Sequence, residues 1–186
     1  MKKVAYLLAV LAFLLFSTGY AQTDKGSWLI GGTGKINIQD ISGDNTIFNI
    51  TLLPNAGYFV INNLAVGART DLTFSSGDGF SGSGVGVGPF VRYYFNLNNP
   101  TLKPLATAGV SFFTSAFKPD VGEKTTNNST DFFVGPGLAF FINEFIAIEG
   151  LLLFEQDKNK IDLGGIKVED KQSDLSFNVG LQIYLR

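Results

Sequence analysis

The sequence predicts an all-β chain: an eight-stranded antiparallel up-and-down transmembrane β-barrel. Three observations carry this. Eight stretches of about a dozen residues alternate apolar with polar or small side chains, the period of a strand with two unlike faces. No helix-period segment of useful length follows residue 21. The connections between the stretches also alternate, short and then long, as in a barrel that crosses a bilayer on strands of about 9–11 tilted residues.

The first residues stand apart from this pattern. Lys2 and Lys3 precede an apolar run from Val4 to Phe16, and small residues at Gly19 and Ala21 follow. A basic start, a short apolar core and a small-residue cut site describe a secretory signal peptide over 1–21. Removing 21 of the 186 residues leaves 165, one domain over 22–186. No Cys follows the cut, so neither a lipid anchor nor a disulfide is expected.

The eight strands are expected at 27–38, 46–59, 64–75, 83–95, 103–117, 130–142, 145–155 and 174–185. In the first, Trp28, Ile30, Ile36 and Ile38 oppose Thr33, Lys35 and Asn37. In the second, Phe48, Ile50, Leu52 and Tyr58 oppose Asn49, Thr51 and Asn55. The third sets Leu64, Val66, Leu72 and Phe74 against Arg69, Asp71 and Thr73. The fourth sets Val85, Val87, Val91, Tyr93 and Phe95 against Arg92, Tyr94 and a run of glycines. The fifth and seventh alternate less cleanly, and Glu149 shares its face with Ala147, Leu151 and Leu153. The sixth sets Phe132, Val134, Leu138 and Phe140 against Asp131, Gly135 and Gly137. The eighth sets Leu175, Phe177, Val179, Leu181 and Ile183 against Ser176, Asn178, Gln182 and Tyr184.

Aromatic residues on the apolar face divide by end. Trp28, Tyr58, Tyr93 and Phe95 lie near the short turns, at 62–63, 96–102 and 143–144. Phe48, Phe74, Phe132 and Phe154 lie near the long connections, at 39–45, 76–82, 118–129 and 156–173. Two such girdles around an aliphatic band mark the headgroup levels of a membrane. The long connections are expected as exposed loops able to carry a surface ligand. Residues 155–174 alone hold ten charged residues, six acidic and four basic.

Composition excludes most chemistry. The chain has no His, which removes the commonest general base and metal ligand and excludes a Ser-His-Asp triad. The net charge of −2 is not that of a nucleic-acid binder. Gly31-Gly32-Thr33-Gly34-Lys35 suggests a phosphate loop but lacks the first Gly and the final Ser or Thr. Gly77 to Gly82 matches G-x-G-x-x-G, yet a glycine-rich strand follows where a helix is required. Asp157 to Asp162 lacks the Gly and the distant Glu of a calcium loop. No catalytic residue, cofactor or metal site is expected.

One constellation remains. Arg69, Arg92 and Glu149 fall on the polar face at similar counts from the short turns, with Asp71 one inward position above Arg69. An eight-stranded barrel is just wide enough for side chains to fill it, so these charges are expected to meet as one lumenal ion-pair network. Such a network would plug the lumen or, in the alternative, filter a small passive pore. A secreted soluble barrel binding an apolar ligand is the third reading, and it requires the two faces to be reversed.

Pro54-Asn55-Ala56-Gly57-Tyr58-Phe59-Val60, then Asn62-Asn63-Leu64-Ala65-Val66-Gly67, resembles a hairpin of the outer-membrane β-barrel family, of the OmpA/OmpX-like small porin and opacity type. Gly135-Pro136-Gly137 and Phe177-Asn178-Val179-Gly180-Leu181 are similar too, so the resemblance spans 22–186. It implies an integral protein of a Gram-negative outer membrane, surrounded by outer-membrane lipid. It also implies exposed loops and usually no enzymatic activity; separately, a monomer is expected. The closing Tyr184-Leu185-Arg186 departs from the terminal aromatic common in such barrels.

Overall fold

The structure is a computed structural model that describes residues 23–41, 45–77, 79–97, 99–119, 125–163 and 166–186. The expected signal peptide, 1–21, lies outside the described residues. The strands are β1 (Trp28–Ile41), β2 (Asn45–Ile61), β3 (Leu64–Gly77), β4 (Phe80–Tyr94), β5 (Leu102–Pro119), β6 (Thr125–Phe141), β7 (Ile146–Leu163) and β8 (Ile166–Leu185). Each pairs antiparallel with the next, and β8 returns to β1, closing the barrel in sequence order.

Closure rests on small residues. β1 and β8 pair over only Trp28↔Leu185 to Gly34↔Val179. At this seam a Cβ on Gly180 would run into the Gly32 carbonyl, and one on Gly31 would meet the Leu181 carbonyl. The Gly-Gly-Thr-Gly run that suggests a phosphate loop thus lets two backbones approach. The tight turn at Asn62-Asn63 holds Asn63 at φ 68°, a left-handed conformation that Asn tolerates.

The faces follow the period-two reading. Trp28, Tyr58, Tyr93, Phe95, Phe48, Phe74, Phe132 and Phe154 all point outward and are exposed, with a belt of Val, Leu and Ile between them. The soluble-barrel alternative fails here, because it needs this apolar face inside. The interior instead carries Leu29, Phe59, Tyr94, Leu105, Leu153 and Tyr184 mixed with Arg92, Glu149, Asn178 and Gln182.

The long connections differ from expectation. Of 39–45, 76–82, 118–129 and 156–173, most described residues are strand. β7 and β8 stay in register from Phe154↔Leu175 up to Leu163↔Ile166. Alternation continues past the girdle, so the backbone satisfies its hydrogen bonds by pairing rather than by looping. Glu155, Asp157, Lys158, Lys171 and Asp174 therefore sit on a strand pair that rises beyond the membrane.

Candidate functional site

The lumen has two levels. The lower one, toward the short turns, is built on Glu149 of β7, whose side chain is fully buried. Arg92 of β4 donates from Nη1 to Glu149 Oε2 at 2.6 Å. Tyr94 of β4 donates its hydroxyl to Glu149 Oε1 at 2.8 Å. The Tyr184 hydroxyl of β8 lies 2.9 Å from the same Oε1 and 3.0 Å from the Tyr94 oxygen. Three side chains from β4 and β8 thus converge across the bore on one carboxylate of β7. A buried charge needs such partners, since desolvation otherwise exceeds its Coulombic gain.

Beneath this cluster lie aromatic rings. Phe59 packs against Tyr94 and Tyr184 at ring centroids 5.7 and 6.3 Å apart, and Phe141 lies 4.9 Å from Tyr184. The segment before β1 tucks under the barrel. Ser27 accepts from the Phe59 amide at 2.9 Å, and the Asn63 amide donates to the Thr23 carbonyl at 2.6 Å. Lys103, a buried cation, donates from Nζ to Thr23 Oγ1 at 2.7 Å.

The expected single network is two. Arg69 Nε lies 2.7 Å from Asp71 Oδ1, and its Nη2 donates to Oδ2 at 3.2 Å. Its guanidinium stacks 3.6 Å from the centre of the Phe133 ring. Arg69 and Glu149 do not meet. Register gives the reason: Arg92 is opposite Ala65, whereas Arg69 is opposite Gly88. Arg69 therefore stands two inward positions above Arg92, about 13 Å along the strand. Counting from the short turns ignores the stagger that barrel closure imposes.

Above Arg69 the bore opens into a vestibule of about 300 Å³, lined among others by Lys35, Asp71, Asp131, Glu155 and Asp157. Lys35 pairs with Glu155 at 2.9 Å, and Ser176 donates to the same carboxylate at 2.8 Å. Ser129 donates to Asp131 at 2.6 Å. Asp131 and Asp157 are directly opposite in register, beyond the girdle residues Phe132 and Phe154. Burial, then the charges of Asp131 and Glu155, push the Asp157 carboxyl up to about 6.

Sequence reasoning missed Tyr94, Tyr184 and the acidic vestibule. Period-two alternation does place both tyrosines and Asp131 inward. Glu155 and Asp157 follow once the alternation of β7 is carried past Phe154. Among the described residues no group of acidic side chains is arranged to hold a metal ion.

Known proteins agree with this architecture. Neisserial surface protein A superposes with a TM-score of 0.58 at 13% identity, covering 87% of this chain and 97% of its own. The outer membrane protein W of E. coli superposes at 0.54 and 13% identity, covering 88% and 98%. At these identities the likeness is one of fold. No curated protein sequence matches the chain. Residues 7–152 match the outer membrane protein beta-barrel domain. The chain therefore belongs to the outer membrane protein beta-barrel family and is an integral protein of a Gram-negative outer membrane.

Proposed function

We propose that this protein is a non-conducting surface barrel: its lumen is plugged, and its role lies in the hairpins it raises beyond the membrane. The observation that carries the reading is the Glu149 cluster. A pore would keep its charged side chains solvated along a continuous path. Here Arg92, Tyr94 and Tyr184 close on a carboxylate with no exposed surface, and aromatic rings lie beneath them. The hairpins around 39–45, 76–82, 118–129 and 156–173 supply the surface for a ligand or partner. No step of that role asks for catalysis, and a chain without His lacks the usual proton carrier.

The vestibule favours a second reading, a small pore whose mouth is already open and charged. Swelling of proteoliposomes in a pentose solution separates the two. A plugged barrel gives the rate of protein-free liposomes. A rate that rises with the amount of protein supports the pore.

A further inference from the structure

Just beyond the upper girdle, the outer wall carries a feature that strand pairing alone disfavours. Lys158 of β7 and Lys171 of β8 are directly opposite in register. Both are exposed, and the alternation along each strand turns both outward, on the face of Phe154 and Leu175. Like charges directly opposite on one face of a sheet destabilise it. Among the described residues neither lysine has an ion-pair partner. Two residues further up, Lys160 stands in register with Glu169.

The surroundings suit an anion at a membrane boundary. Thr130 is opposite Lys158 on the other side, and Gln156 and Ser173 form the neutral polar pair immediately below. The Lys158 ammonium lies 4.9 Å from the centre of the Phe132 ring, which holds the cation down against the girdle. A groove of about 460 Å³ runs beside it, lined by Asn128, Ser129, Thr130, Phe132 and Lys158. Below this level the wall is aliphatic and aromatic, so a molecule seated here has its polar head at the lysines and its chains along Phe132, Phe154 and Leu175.

We propose that Lys158 and Lys171, with Thr130 beside them, form a site for the phosphate of a phosphorylated lipid headgroup in the outer leaflet. The height decides the source. Beyond the girdle and facing outward, the pair meets lipid headgroups, and basic side chains at that level are drawn to anionic lipid. The phosphate relieves the Lys–Lys repulsion and accepts charge-assisted hydrogen bonds from both ammonium groups. The inference stands apart from the state of the lumen.

The test uses the barrel, residues 22–186, refolded in detergent, with native mass spectrometry of mixtures with bis-phosphorylated lipid A or with the same lipid after phosphate removal. The parent is expected to retain the phosphorylated form about tenfold more. Lys158→Gln with Lys171→Gln is expected to lose that preference. Lys158→Arg with Lys171→Arg keeps it, and so does Lys118→Gln, which removes an exposed charge elsewhere at the same end. A heat-dependent shift in gel mobility confirms that each variant is folded. Equal retention of both lipids by the parent, or an unchanged preference in the double Gln variant, overturns the proposal. Displacement of the lipid by millimolar inorganic phosphate also overturns it, because the site would then take a free anion.

Discussion

Arg92 and Glu149 meet across the bore at 2.6 Å, from strands β4 and β7 that are not neighbours in the sheet. The pair ties opposite parts of the wall together inside a space where neither charge reaches water. Removing one partner leaves the other charge buried and alone. Glu149→Ala is expected to lower the stability of the folded barrel by roughly 3–5 kcal/mol. Urea unfolding in lipid vesicles, followed by tryptophan fluorescence of Trp28, measures it. An unchanged midpoint would mean that the pair contributes nothing.

The two tyrosines are expected to act through the same carboxylate. Tyr94→Phe and Tyr184→Phe each remove a hydroxyl from Glu149 Oε1, at a cost of about 1–3 kcal/mol. Because the two oxygens are also 3.0 Å from each other, the double variant should cost measurably more or less than the two costs added. Strict additivity would show that the hydroxyls are independent.

Arg69 and Asp71 form their own pair, so they should not couple to Glu149. Arg69→Leu with Asp71→Leu, combined with Glu149→Gln, should give costs that add within about 0.5 kcal/mol. Coupling above about 1 kcal/mol would restore the single network that residue counting suggests.

The vestibule has a pH signature. Asp157 binds its proton more tightly when folded, with its carboxyl at about 6 against an ordinary 3.8. Between those values the folded state holds more protons than the unfolded one, so stability falls as pH rises from about 4 to about 6. Above and below that window this group adds no slope. Asp157→Asn should flatten the curve of unfolding midpoint against pH in this range. A slope that survives the substitution would place its origin elsewhere.

Most of the fold is legible in the sequence because a barrel strand encodes its two faces residue by residue. Trp28 and Phe154 face lipid, and Arg92 and Tyr94 face the bore, as alternation requires. Height along the bore is not encoded that way. It depends on stagger between strands, which is why Arg69 reads as level with Arg92 and stands two inward positions higher. Strand length is also hidden at the outer end. Ten charged residues over 155–174 suggest a loop, yet once a hairpin leaves the membrane both of its faces can be polar and alternation loses its contrast. Asp157 of the acidic vestibule lies in that blind region. The hydrogen bonds of Tyr94 and Tyr184 depend on side chains from distant strands converging at one depth, which no local pattern records.

Single-channel recording in a planar lipid bilayer tests the proposed closure of the lumen most directly. The refolded barrel, residues 22–186, should insert without producing discrete current steps in 1 M potassium chloride. Reproducible steps of uniform size, lost when the protein is unfolded before addition, would contradict the plug and assign the Arg92–Glu149 pair to the wall of a pore.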